Sequence, residues 1–420
     1  MTFQFEITVF KDLLETYPTW EALQVYLESK EGGMFRIVDR DDKGLCLIRY
    51  EKGHSIMDLP HSHWFRSVIW NTTINRPVCI APCKTSSDEF PYQTIQEMES
   101  AGVICQEQLE GFMINCFHMQ GDPELHITSR SKLHATGTFY SKKTFHELFM
   151  ESYEDTFHEK PSSDHSPFLK PAEKEVSVFY SFLVQHKEHK IVKNNTANRV
   201  YVIYKGIVYE DGLVRIEDTP FVPDVENVLC IPIKQSSHTP IDYADIVSRS
   251  VQIEAYMWAR QFIAEQSREY QGIVLKDLHG NRWRIRSERY SAILSLRGNH
   301  PSIRNRFCHL YTSNLLSTYL EYYPEESEEM NRLLSTINMI LYTLFEIYLD
   351  VYVQKSKKRD EIDKMFHPHL YAIHGIYLNQ LRPLAKRMTL HDVQVYLCKQ
   401  PWQRLSFLIQ KRENEAAALP

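Results

Sequence analysis

Short runs of β-branched and aromatic residues recur through the first 290 residues of the chain, at Phe35 to Val38, Leu45 to Tyr50, Val78 to Ile80, Phe112 to Phe117, Val200 to Tyr204 and Leu213 to Ile216. Turn-forming residues separate them, as in Asp41-Asp42-Lys43-Gly44 and Glu210-Asp211-Gly212, so the pattern predicts strands joined by hairpins and short connections. Beyond Tyr290 the period changes. Leu333, Ile337, Ile340, Leu341, Leu344, Tyr348 and Tyr352 recur every three or four residues, which places them on one face of a long helix. Pro324-Glu325-Glu326-Ser327 supplies a proline and an acidic first turn, and Lys355-Ser356-Lys357-Lys358-Arg359 puts positive charge at the far end, both favourable to the helix dipole. The expected architecture is α+β: a strand-rich domain with antiparallel sheets over residues 1–290, then an α-helical C-terminal domain over 291–420. The run Lys160-Pro161-Ser162-Ser163-Asp164-His165-Ser166-Pro167 reads as a surface loop or insertion.

Composition narrows the function classes. A chain of 420 residues with 43% hydrophobic and 24% charged content is that of an ordinary globular protein. With a net charge of −6, any nucleic-acid contact has to come from a local basic patch. Eight cysteines, at 46, 79, 83, 105, 116, 230, 308 and 398, form no C-x-x-C pair, which argues against a disulfide framework or a zinc cage and favours a reducing compartment. The N-terminal residues lack a basic segment followed by an apolar stretch, so neither a signal peptide nor a mitochondrial presequence is indicated. Ile337 to Val353 carries Asn338, Glu346 and Asp350 and falls short of about 20 clean apolar residues, so no membrane span is expected. Phosphate-binding P-loop, G-x-G-x-x-G and serine-elbow motifs are absent.

Several segments occur in an order that points to one family. Arg66-Ser67-Val68-Ile69-Trp70 and Arg76-Pro77-Val78-Cys79-Ile80-Ala81 come first, then Gln106-Glu107-Gln108-Leu109-Glu110-Gly111. His126-Ile127-Thr128-Ser129-Arg130 and Asn198-Arg199-Val200-Tyr201-Val202 follow, and Gln271-Gly272-Ile273-Val274-Leu275-Lys276 with Trp283-Arg284-Ile285-Arg286 close the set. Together they resemble the ATP-dependent RNA ligases of the phage and fungal tRNA ligase type, over about the first 290 residues. The C-terminal part is similar to the helical tail of ligase-like proteins of large DNA viruses, without a sharp motif. The resemblance implies a nucleotidyltransferase fold with a nucleotide pocket lined by Arg66, Gln108, Glu110, Gly111, Arg130, Gln271, Arg284 and Arg286.

The departures from that family carry chemical meaning. Gln108 stands where the family has its nucleophilic lysine, and a carboxamide nitrogen, delocalised into its carbonyl, cannot form a phosphoramidate. Gln271 stands where a carboxylate would help hold nucleotide and metal, and a neutral amide is a poorer Mg²⁺ ligand. A third loss is expected near Val192. Arg284 and Arg286 replace two lysines, and arginine keeps a planar fork that grips phosphate. The expected function is therefore a catalytically inactive ligase-like protein, with no catalytic residue, no metal and no required cofactor. Its ligand would be a nucleotide (ATP, GTP or a cap-like nucleotide) or an RNA 5′ end, with 24 Tyr and 21 Phe available for stacking.

Two other classes compete: an active ligase using Lys84, Lys132 or Lys142, and a scaffold whose helical C-terminal domain docks a protein partner. A cytoplasmic location is expected, host cytoplasm or virion if the protein is viral. His61 and His63 near Asp58, and His367, His369 and His374 near Asp363, match no recognised metal-ligand spacing, so surface or capping roles are expected. Cys79 and Cys83 read as buried free thiols, and Lys355 to Arg359 as a solvated helix end.

Overall fold

In a computed structural model, which describes residues 3–86, 91–92, 94–161, 168–218, 255–300 and 302–417, the β-branched and aromatic runs form strands. In chain order these are β1 (Phe3–Ile7), β2 (Arg36–Arg40), β3 (Leu45–Arg49), β4 (Val68–Asn71), β5 (Arg76–Ile80), β6 (Ile104–Glu107) and β7 (Phe112–Met119). They continue with β8 (His126–Ser129), β9 (Glu175–Gln185), β10 (Arg199–Tyr209), β11 (Val214–Asp218), β12 (Gly272–Lys276) and β13 (Arg282–Arg286). All of them pair antiparallel, in a six-stranded sheet β1-β11-β10-β9-β7-β8, a four-stranded meander β2-β3-β4-β5 and a three-stranded sheet β13-β12-β6. The chain is thus α+β, divided into the units Met1–Ser291 and Ala292–Pro420. Most of the loop expected from Lys160 to Pro167 lies outside the described residues.

Period-two alternation explains how the large sheet buries both faces. On β9, Val178, Tyr180, Phe182 and Val184 pack with Leu148, Phe149 and Tyr153 of the helix Phe145–Phe157. Phe179, on the opposite face, joins the core that contains Phe10, Trp20 and Trp70. Ser177 sits between the sheets, its hydroxyl donating to the Val78 carbonyl at 2.7 Å. The abundant aromatic residues are largely consumed here, as in the Phe149, Tyr153, Phe168 and Phe182 cluster. The small sheet buries Ile273, Leu275 and Ile285 against Ala259 and Ile263 of the helix Ala255–Glu265. Its other face is left for the residues at 272, 274, 276, 282, 284 and 286.

The helical unit is organised by the predicted amphipathic helix, Ser327–Tyr348, followed by a π-helical turn, Leu349–Gln354. Leu333, Ile337, Ile340, Leu341, Leu344 and Tyr348 are all buried. They face the helices Ile303–Thr312, His367–Ile376, Leu390–Cys398 and Trp402–Ala417. The run ends at Lys355, which adopts a left-handed conformation with φ +57°. The whole of Pro324–Gln354 is longer than the apolar stretch read from the sequence. With a mean hydropathy of 1.2 over its most apolar window, it is long and apolar enough to cross a membrane by length and composition.

Glu326 was expected to serve the helix dipole, and its carboxylate instead closes a buried ion network. Both of its oxygens lie 2.8 Å from Arg306 Nη1, Arg297 Nη1 lies 3.0 Å away, and the Tyr319 hydroxyl donates at 2.7 Å. Both arginines are 3% exposed, so losing the carboxylate would remove a counter-charge shared by two buried cations. Glu326→Ala should cost the helical unit about 3–5 kcal/mol. Urea unfolding followed by circular dichroism measures this, and a loss below about 1 kcal/mol would show the network to be dispensable.

Candidate functional site

The cleft that matters lies between the large sheet and the small one. Strand β6 ends at Glu107 and β7 begins at Phe112, so Gln108, Leu109, Glu110 and Gly111 cross from one sheet to the other. The backbone N–H of Gln108 donates to the Gly272 carbonyl at 2.8 Å, which extends the β6–β12 pairing by one rung. Gly111 has φ +159°, and a Cβ there would collide with the Val184 carbonyl oxygen. Gly272, with φ +139°, is packed as closely against the Ile285 carbonyl. These two glycines let the connector and β12 approach their neighbours.

The resulting cavity of about 210 Å³ is lined by Met113, Leu183, Val202 and Ile203 of the large sheet and by Val274, Lys276, Arg282, Arg284 and Arg286 of the small one. Arg66, Gln106, Glu107, Gln108, Glu110, Gly111, Ile191, Gln271 and Tyr290 complete the lining that bears on its chemistry. Of the residues singled out from the sequence, Arg66, Gln108, Glu110, Gly111, Gln271, Arg284 and Arg286 thus converge on one cleft. Arg130 does not line it. It is exposed just beyond β8, close enough for its charge to act on Arg66.

Register explains which basic residues the sequence reading missed. Gly272 pairs with Arg286, Val274 with Arg284 and Lys276 with Arg282. Because side chains alternate along a strand, Arg282 shares the cleft face with Arg284 and Arg286, and Lys276 stands opposite it. The alternation of arginine at 282, 284 and 286 was the available signal. Lys276 is 3% exposed, and its ammonium lies 5.7 Å from the centre of the Tyr204 ring. Lys84, Lys132 and Lys142 do not line the cleft, and Lys132 lies 3.4 Å from Asp39.

The electrostatics are one-sided. Five cations line the cavity, and burial together with the neighbouring Arg282 and Arg130 pushes the Arg66 guanidinium down to about 10. Burial, and then Arg284, depress Arg286 in the same way. Among the described residues, no carboxylate forms an ion pair with Arg66, Arg284 or Arg286. Two carboxylates line the cleft. Burial raises Glu107, opposed by the charge of Lys193. Gln108 Oε1, Gln271 Oε1 and Arg286 Nε are buried without hydrogen-bond partners. The cleft therefore presents, among the described residues, three guanidinium groups without a carboxylate ion pair, those of Arg66, Arg284 and Arg286, and two unsatisfied amide acceptors.

Glu110 has a structural occupation rather than the ligand contact expected of it. It is 4% exposed, and its oxygens accept from the backbone N–H groups of Ile191 at 3.2 Å, Val192 at 2.9 Å and Lys193 at 3.0 and 3.1 Å. The Tyr290 hydroxyl adds a bond of 2.8 Å, and the Glu110 carbonyl accepts from Gln185 Nε2 at 2.8 Å. Burial still raises its pKa, against the pull of these donors. Val192, where an acidic residue was sought, contributes its backbone amide. The donor set does not suit a divalent cation, because Glu110 is engaged and Glu107 is the one other carboxylate in the lining.

Tyr290 is the aromatic residue of the lining, and it is buried, so among the described residues the cleft has no exposed ring on which a base would stack. The histidine groups are packing features. His61 Nε2 bonds the Gly32 carbonyl at 2.8 Å, His367 Nε2 the Ile362 carbonyl at 3.0 Å, and His369 Nδ1 the Tyr396 hydroxyl at 2.8 Å. Cys79 is a buried free thiol, and the buried thiol of Cys83 donates to the Gly280 carbonyl at 3.4 Å. Asp122, Glu124 and His126 lie within 4.8 Å of one another, a cluster the sequence reading missed. Its donors are already engaged, His126 with Asp122 at 2.9 Å and Glu124 with Lys43 at 2.6 Å.

No protein-family model matches this chain, and no curated protein matches it. The cleft itself is the evidence bearing on function.

Glu110→Ala would strip the acceptor from three backbone amides and a hydroxyl, for an expected cost above about 3 kcal/mol. Hydrogen exchange at Ile191, Val192 and Lys193 should accelerate well beyond the global change. Unaltered protection at those amides would show that other contacts hold the segment.

Proposed function

We propose that the cleft binds the phosphate of a nucleotide or of a 5′-phosphorylated RNA end without reacting with it, in a catalytically inactive relative of the ATP-dependent RNA ligases that the sequence resembles. The observation that carries this reading is the convergence of Arg66, Lys276, Arg282, Arg284 and Arg286 on one cavity with few carboxylates to balance them. Charge-assisted hydrogen bonds from arginine forks to phosphate are stronger than neutral ones, and in a partly desolvated cleft they gain further. The two unsatisfied amide oxygens, on Gln108 and Gln271, are acceptors for ribose hydroxyls or base N–H groups. Among the described residues, the lack of an exposed aromatic platform in the cleft favours a phosphate-bearing end over a cap, whose recognition relies on stacking.

Covalent chemistry needs an amine at the site of attack, and the residue on the connector is Gln108. Incubation with α-labelled ATP and Mg²⁺, followed by denaturing electrophoresis, should leave the protein unlabelled. A labelled band that disappears in Lys276→Met would replace this reading with an active ligase whose nucleophile is the lysine in the cleft wall. For binding, adenosine 5′-monophosphate is titrated against the wild type and the Arg284→Ala/Arg286→Ala double variant. Losing two charge-assisted contacts should weaken binding by about 3 kcal/mol, more than a hundredfold. Equal affinity of the two proteins would sink the phosphate assignment.

A further inference from the structure

Basic residues do not stop at the edge of the cleft. From β13 a ladder of backbone hydrogen bonds leads outward: Ser86 N–H donates to the Arg282 carbonyl at 2.8 Å, and Arg284 N–H to the Ser86 carbonyl at 2.9 Å. Lys84, two residues earlier, donates its N–H to the His63 carbonyl at 3.0 Å, and Tyr50 N–H bonds the Phe65 carbonyl at 2.7 Å. The segments carrying Arg282, Lys84, Arg66 and Arg49 are therefore neighbours. Lys84 Nζ lies 5.8 Å from the centre of the Tyr50 ring, and Arg49 Nη1 donates to Ser131 Oγ at 2.7 Å, beside Arg130. The charges feel one another: Arg282 and Arg130 both act on Arg66, and Arg130 acts on Arg49.

Carboxylates do not neutralise this path. Among the described residues, none forms an ion pair with Arg49, Arg66, Lys84 or Arg130. Two acids flank it: Glu51, whose charge partly offsets that of Arg130 at Arg49, pairs with Arg36 at 2.8 Å, and Asp39 is engaged with Lys132 and the Leu133 N–H. On a chain with a net charge of −6, an uncompensated file of cations running out of a cationic cleft marks the approach of an extended polyanion.

We infer that Arg66, Arg130, Arg49 and Lys84 form a track for the sugar-phosphate backbone of single-stranded RNA whose 5′ phosphate occupies the cleft among Arg282, Arg284 and Arg286. This rests on the phosphate-binding reading of the cleft and adds to it that the ligand is a strand rather than a mononucleotide. Contacts along the track go to phosphates, so they add affinity and salt dependence without reading sequence.

The test compares adenosine 5′-monophosphate with a 5′-phosphorylated oligoadenylate RNA of about eight nucleotides, a length within the range a single binding groove accommodates. The RNA should bind at least about tenfold more tightly at low salt. Its log affinity should fall more steeply with log salt, by about 2 in slope for roughly three additional neutralised phosphates. Arg49→Ala with Lys84→Ala should lower RNA affinity and flatten that slope by about 1, leaving the monophosphate affinity unchanged. If the wild type binds both probes with one affinity and one salt slope, the track does not exist although the cleft binds phosphate. If the double variant, with the circular dichroism of the wild type, loses both ligands equally, the track is likewise overturned. If neither probe binds the wild type, the reading of the cleft falls first and the track with it. The length comparison uses the wild-type protein, so it holds whether or not the variant folds.

Discussion

A buried carboxylate on a connector between two sheets sets the geometry on which the cleft depends. Glu110 reaches three consecutive backbone amides, Ile191 to Lys193, and the hydroxyl of Tyr290, while its carbonyl takes the amide of Gln185. Segments more than 70 residues away in the chain are thereby tied to the point where β6 passes into β7. An ionised acid in such a place is expensive to bury, and each donor offsets part of that cost. The arrangement holds because removing any one partner leaves another polar group unmatched.

The opposite wall follows from strand alternation. Ile273, Leu275 and Ile285 need a helix to cover them, which turns positions 272, 274, 276, 282, 284 and 286 toward the cleft. Lys276 and Arg282 face one another across the pair, an unfavourable juxtaposition in isolation. Cations concentrated in this way, with Arg66 depressed to about 10, store a repulsion that a bound phosphate would relieve. The fold thus crowds like charges into one cleft, the basis of the anion site proposed for it, and places a carboxamide, Gln108, on the connector beside them.

Much of this could be read in advance, for physical reasons that differ between elements. The long helix was legible because six apolar residues at helical spacing, Leu333 to Tyr348, leave one stable way to bury them, while Tyr352, the seventh of the pattern, falls in the π-helical turn and is half-buried. Strands such as β3, β7 and β10 were legible from dense β-branched and aromatic residues between turns. Arg284 and Arg286 were found through a resemblance of motifs, whereas Arg282 needed the register. Arg130 was expected in the pocket and lies outside it, because a motif places a residue on a strand end and says little about where a loop then turns. Glu326 was read as a helix-dipole partner and became the centre of an ion network, since Arg297 and Arg306 arrive from other helices.

What the amino-acid sequence by itself determined was periodic: a strand-rich part with antiparallel pairing, a helical part after it, and the identity of the groups available for chemistry. Periodicity is local, and local propensity and burial pattern are enough to select strand or helix. Only the tertiary structure decided how each polar group is used. Glu110 became a structural acceptor, Glu326 a counter-ion, and Lys276 with Arg282 part of a cationic wall, because their surroundings are assembled from distant segments. Charge and hydrogen-bonding capacity are properties of a residue, but whether they are spent on the fold or left for a ligand depends on what packs beside them.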